Sequence, residues 1–123
     1  MRGFLADSYW APDRPADVID KSLDHSLAFA LLHGDRQVGL ARVVTDYATF
    51  AWLCDVYIEP EHRGGGLGRW LVASVLGHPQ LAGVGRWMLA TSHSHSLYAR
   101  FGFTELPEPG RVMVRYDVPA VDR

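Results

Sequence analysis

With 123 residues, 48% hydrophobic and 21% charged, the chain has the composition of one globular domain, long enough to bury about two-thirds of its unfolded surface and unlike a disordered or fibrous sequence. A net charge of −2 offers no basic field to nucleic acid or anionic lipid, and no apolar run reaches the roughly 18–20 residues that a membrane span needs. The single cysteine, Cys54, cannot close an internal disulfide, which fits a reducing interior. With no charged-then-apolar leader at its start, the chain is expected to be cytoplasmic, a single domain over 1–123, and to bind neither nucleic acid nor membrane.

Met1 to Trp10 carries Phe4, Leu5, Tyr9 and Trp10 in a weakly helical arrangement, and the proline-rich piece from Ala11 to Pro15 reads as a loop. Ala16 to His25 spaces Val18, Ile19 and Leu23 as a short amphipathic helix does, with Asp17 early and His25 late as the helix dipole favours. Ser26 to Leu32 and Val38 to Val44, joined through Gly34-Asp35-Arg36, predict a hairpin. A third strand is predicted over Phe50 to Ile58, nine residues rich in β-branched and aromatic types, with a hard stop at Glu59-Pro60.

Beyond that stop lie three consecutive glycines, Gly64 to Gly66, with Gly68 close behind, and then Leu67, Trp70, Leu71, Val75 and Leu76 recur at helical spacing. Strand, glycine turn and helix converge free backbone N–H groups and the positive end of a helix dipole on one small region beside Arg63. Such a place suits phosphate. A nucleotide-triphosphate loop would need Gly-Lys-Ser/Thr, whereas Gly68 is followed by Arg69-Trp70; a dinucleotide fingerprint would need a glycine where Arg69 stands. A second short strand, Arg86 to Thr91, leads into a helix over Ser96 to Phe103, and Phe103 to Leu106 with Arg111 to Tyr116 predict a closing hairpin across Pro107-Glu-Pro-Gly110.

Arg63-x-x-Gly66-x-Gly68 after a strand ending at proline, followed by Leu97-Tyr98-x-x-x-Gly102-Phe103, resembles the two signatures of the GNAT superfamily of acyl-CoA N-acyltransferases. The resemblance runs from about Phe29 to Tyr116. It implies an α/β fold of the α+β type, a central mixed and mostly antiparallel sheet with helices on both faces. It also implies acetyl-CoA as cosubstrate, a primary amine of a small molecule or peptide as acceptor, direct transfer, and a monomer or homodimer. Members resembling this fold begin with a strand, whereas here a helical segment starts almost at Met1, so the first strand is expected to be missing.

By the same resemblance the main chain of Val56, Tyr57 and Ile58 handles the oxyanion and the pantetheine arm. Arg63, Gly64, Gly65, Gly66, Leu67, Gly68 and Arg69 cradle the pyrophosphate, and Tyr98 protonates the departing thiolate. Phenols and alkyl thiols, with ordinary pKa values of about 10 and 8.5, are close enough for efficient proton transfer. Packing against Phe101 is the alternative for Tyr98. Asp55, an acid in an otherwise apolar strand, needs a purpose or a partner: it is a candidate base, or one half of an ion pair with Arg42 or Arg86.

Glu59 reads as a solvated carboxylate. His93 and His95 stand where an acceptor could approach and could take a proton or contact it; with one cysteine and no third ligand nearby they predict no metal site. Trp10, with Tyr9, Tyr47 and Trp52, is a candidate wall of an acceptor pocket, although aromatics at such spacing also serve as core. Thr91 stands where many family members carry asparagine toward the pantetheine arm. A non-catalytic acyl-CoA-binding module and a protein-interaction domain remain as alternatives.

Overall fold

The computed structural model describes residues 16–117. The helix and loop read over 1–15, Tyr9 and Trp10 included, lie outside these residues. A helix, α1 (Ala16–Asp24), precedes an antiparallel hairpin of β1 (Leu27–His33) and β2 (Arg36–Thr45). Strand β3 (Phe50–Ile58) pairs antiparallel with β2, and the short β4 (Arg86–Met88) pairs parallel with β3. The sheet order is β1-β2-β3-β4, mixed and mostly antiparallel as expected.

Helix α2 (Leu67–Leu76) crosses from β3 toward β4 and buries Leu71, Val72 and Val75 against Val38, Ala41, Val43, Ala51, Leu53 and Ile58 of the sheet. Each such aliphatic side chain contributes about 1.5–3 kcal/mol on leaving water. Trp70, placed by its spacing on the apolar face, is exposed, and Val72 takes the inward position instead. Ile19 of α1 and Leu40 of β2 are buried apart from that cluster.

Three readings of the second half need correction. The strand read over Arg86 to Thr91 ends at Met88, because its ladder with β3 stops at Trp52↔Met88. The helix read over Ser96 to Phe103 is α3 (His95–Ala99), and its end is set by main-chain geometry. Gly102 adopts φ 90°, its N–H bonds the Ala99 carbonyl at 3.1 Å, and the Phe103 N–H bonds the Tyr98 carbonyl at 3.3 Å. That pair of bonds is a Schellman motif, which stops a helix with a left-handed glycine.

The closing hairpin does not form. Pro107 and Pro109 have no N–H to give a ladder, and Pro109–Arg111 closes into a 3-10 turn held by Arg111 N–H to Glu108 O at 3.0 Å. Val112, Met113, Val114 and Tyr116 stay exposed, so no buried face compensates for ordering a strand there.

Candidate functional site

Strand β3 builds one wall of the site by changing its own register. Between the pairs Leu40↔Tyr57 and Arg42↔Cys54, β2 advances two residues while β3 advances three. The extra residue is a β-bulge, and within it Asp55 takes φ 54°, a left-handed conformation that aspartate tolerates better than most side chains. The bulge reverses the inward parity of the strand. Ala51 and Leu53 face the core before it; Val56 and Ile58 pack there after it. The ladder to β4 has ended at Trp52, and beyond it Val56, Tyr57 and Ile58 line an opening.

The glycine turn closes the end of that opening. After Ile58 the chain makes the 3-10 turn Pro60–His62, and Gly64 and Gly66 both take φ 86°. Gly66 caps α2 in this left-handed conformation, which a side chain would strain. The first intrahelical bond is Trp70 N–H to Gly66 O at 3.0 Å, so the N–H groups of Leu67, Gly68 and Arg69 have no partner within the helix. A Cβ placed on Gly64, Gly66 or Gly68 would meet nothing within 4 Å, so open space faces the turn. Arg63 donates Nε–H to the Ile58 carbonyl at 2.7 Å and lies with Cζ 5.2 Å from the Tyr57 ring centroid, a cation–π distance.

Helix α3 supplies the opposite wall. Tyr98 is buried, its ring edge-on to Phe103 with centroids 5.9 Å apart. A cavity of about 360 Å³ is lined by Val56, Tyr57, Ile58, Arg63, Gly64, Gly66, Leu67, Gly68, Ser94, Leu97 and Tyr98. Eight of the residues named from sequence for the cosubstrate, together with Tyr98, thus meet around one space. Gly65 and Arg69 lie in the same turn and helix but outside this wall. Ser94 and Leu97 line it without having been singled out; Leu97 is the leucine of the Leu-Tyr pair, and Ser94 precedes α3 at its cap position.

Asp55 is ion-paired, as one of its two readings required. Arg42 Nε–H donates to its Oδ2 at 2.7 Å, with the two side chains 12% and 5% exposed. Arg42 Nη1 also donates to Ser26 Oγ at 2.8 Å, and that hydroxyl in turn donates to the Ser22 carbonyl in α1. His93 and His95 are exposed and flank Ser94 without lining the cavity. Tyr47 is exposed in the β2–β3 connection, Trp52 is half-buried, and neither borders the cavity.

Among the described residues, the ligand atoms of Glu59, Glu61 and His62 lie within 4.8 Å of one another, a group that could hold a metal ion and that does not include His93 or His95. Arg36 Nη2 already bridges its two carboxylates, at 3.1 Å to Glu59 and 2.9 Å to Glu61; the Glu59 hydrogen bond foremost raises the guanidinium pKa. Glu59 is therefore ion-paired rather than simply solvated. A larger cavity, about 660 Å³, runs between β4 and the segment after α3, past Trp87, Phe103 and Val112. It touches neither the glycine turn nor Val56–Ile58, so size does not mark the site here. No helix among the described residues is long and apolar enough to cross a membrane.

A family model described as the acetyltransferase (GNAT) family matches residues 3–103. A protein of Gibberella zeae named as an acetyltransferase is 42% identical over 82 residues, covering 52% of this chain and 46% of the relative. The chain spans between about a third and a half of the length of the curated relatives it matches. A crystal structure from Xanthomonas campestris pv. campestris, assigned to the GNAT family, is 46% identical, covers 98% of this chain and 88% of that one, and superposes with a TM-score of 0.89. A Clostridium acetobutylicum structure titled as an acetyltransferase with acetyl-CoA is 13% identical, with a TM-score of 0.64 over 87% of this chain and 77% of that one, a likeness of fold.

Proposed function

The chain belongs to the GNAT family of acetyltransferases, and from that premise we propose that it transfers the acetyl group of acetyl-CoA directly to a primary amine of a small molecule or peptide. The observation that carries this reading is the one cavity that joins Val56–Ile58, the glycine turn and Tyr98. The open space before Gly64, Gly66 and Gly68 fits a pyrophosphate, and a relative of the same fold is titled with acetyl-CoA.

Acetyl-CoA supplies the activated acyl group as a thioester. Gly64, Gly66, Leu67 and Gly68, with Arg63 beside them, bind its phosphates through N–H groups and one guanidinium. The main chain of Val56–Ile58 orients the pantetheine arm and offers donors, fixed in advance, to the oxygen on which charge develops. Tyr98 gives its proton to the departing sulfur. His93 and His95, on either side of Ser94, are the candidates for taking the amine proton and contacting the acceptor. Residues 1–123 form one domain, and the site serves a cytoplasmic enzyme acting as a monomer or homodimer and needing no metal.

Tyr98→Phe tests the reading. The variant is expected to bind acetyl-CoA as the wild type does and to lose about one to two orders of magnitude in acetyl transfer, followed by thiol release over a panel of amines. Unchanged transfer would remove Tyr98 from the chemistry. Wild-type binding of acetyl-CoA without transfer to any amine would identify a non-catalytic acyl-CoA-binding module instead, and no thermal shift with acetyl-CoA far above micromolar would point to a protein-interaction domain.

A further inference from the structure

We propose that the buried Arg42–Asp55 pair is a positioning device: it clamps the β3 bulge and thereby fixes the backbone of Val56–Ile58, the residues of the strand that line the cavity. The inference rests on the reading of that cavity as the acetyl-CoA site and assigns to it two residues that do not line it.

The bulge is where the strand could most easily give way. One residue of slip returns β3 to simple alternation, which would turn Asp55 and Tyr57 toward the core and Val56 and Ile58 away from it. Asp55 itself sits at φ 54°, a conformation that persists only when its surroundings over-determine it. A glycine would hold this backbone with less strain, yet the position carries an acid whose side chain is 5% exposed. Burying that charge is costly unless it is paired, and Arg42 pairs it at 2.7 Å.

Arg42 is anchored in turn. It stands in β2 immediately after Ala41, the residue its strand leaves opposite the extra length of β3. Its Nη1 reaches Ser26 Oγ at 2.8 Å, and Ser26 hydrogen-bonds the Ser22 carbonyl in the last turns of α1. Three elements, α1, β2 and β3, are thus tied to the one residue whose backbone sets the change of parity. The next residue along, Val56, is the first of the strand to line the cavity. Asp55 acts through that geometry, with Arg42 holding its carboxylate, and is a positioning residue rather than a base.

The test compares Asp55→Asn, Arg42→Gln, the double variant and Arg42→Lys in the full chain, reading acetyl-CoA affinity by calorimetry, kcat and KM, and the pH dependence of kcat. Each single variant is expected to lower kcat/KM about 10- to 100-fold without removing a limb of the pH profile. The double variant should do no worse than the worse single one, since both act on one device, and Arg42→Lys should recover part of the loss.

A pH limb lost in Asp55→Asn alone, with Arg42→Gln near wild type, would overturn the proposal in favour of a base. Variants that melt earlier but bind and turn over normally when folded would overturn it in favour of a purely structural pair. Should Asp55→Asn fail to fold, the double variant, which leaves no unpaired buried charge, carries the same comparison. Wild-type protein that binds no acetyl-CoA would overturn the site reading and the inference together, whereas normal wild-type binding with unaffected variants overturns the inference alone.

Discussion

Arg63 donates its Nε–H to the carbonyl of Ile58 at 2.7 Å, so the arginine of the glycine turn is held by the last residue of the strand it follows. The bond spends one guanidinium donor on the protein and leaves the Nη groups to a ligand at the cavity, which Arg63 lines.

Arg63→Ala should therefore weaken acetyl-CoA binding by about 10- to 150-fold, the equivalent of about 1.5–3 kcal/mol for a charge-assisted hydrogen bond. Arg63→Lys should recover only part, because an ammonium cannot hold the Ile58 carbonyl and a phosphate with one rigid fork. An acetyl-pantetheine donor without the pyrophosphate should show no difference between wild type and Arg63→Ala. An equal loss with both donors would remove the phosphate contact.

The glycines of the turn should separate fold from ligand. Gly66 at φ 86° needs its conformation, and Gly66→Ala should cost about 1–2 kcal/mol, lowering Tm by several degrees. Gly68 stands inside α2 at ordinary dihedrals with open space before it, so Gly68→Ala should stabilise the fold by about 0.5–1 kcal/mol and raise Tm, while weakening acetyl-CoA binding. A Gly68→Ala variant that binds as well as wild type would show that no ligand approaches this position.

Gly39 tests the seam between β2 and the end of β3. A Cβ there would lie 2.9 Å from Ile58 Cδ1 and 3.0 Å from Leu31 Cβ, so Gly39→Ala should destabilise by about 1–3 kcal/mol in denaturant unfolding. Gly83→Ala, which meets nothing within 4 Å, should be near neutral and serves as the control.

Asp46 predicts an acid-side signature. The Thr49 hydroxyl first, then the amides of Thr49, Ala48 and Phe50, hold its carboxyl well below the usual carboxylate range. A depressed folded pKa contributes stability that is complete above the unfolded value near about 4 and is lost as pH falls below it. The stability difference between wild type and Asp46→Asn should stay constant from neutral pH to about pH 5 and shrink below about pH 4. A gap as wide at pH 3 as at pH 7 would contradict this.

Where local chemistry decides structure, the sequence was readable to the residue. Phe50 to Ile58 is a strand with those limits because a β-branched and aromatic run meets Glu59-Pro60, and α2 starts at Leu67 because left-handed glycine precedes it. Side-chain periodicity could not disclose the bulge at Asp55, since one added residue changes parity without changing composition. The closing hairpin was misread because alternating residues over 111–116 satisfy a strand pattern, while pairing depends on a distant edge. The place of Tyr98 on the cavity wall was legible through its Leu-Tyr signature; of the ties from Arg42 only the one to Asp55 was, because a buried acid demands a partner and a serine hydroxyl does not.

β3 parts from β4 beyond Trp52 and Met88, so among the described residues no strand joins the edge of Val56–Ile58 turned away from β2, and the proposed donor site uses its peptide groups, which carry no residue identity. Exchanges among side chains of like facing at 56–58 should accordingly be silent toward the acyl donor, and only proline, lacking the N–H, should interrupt it.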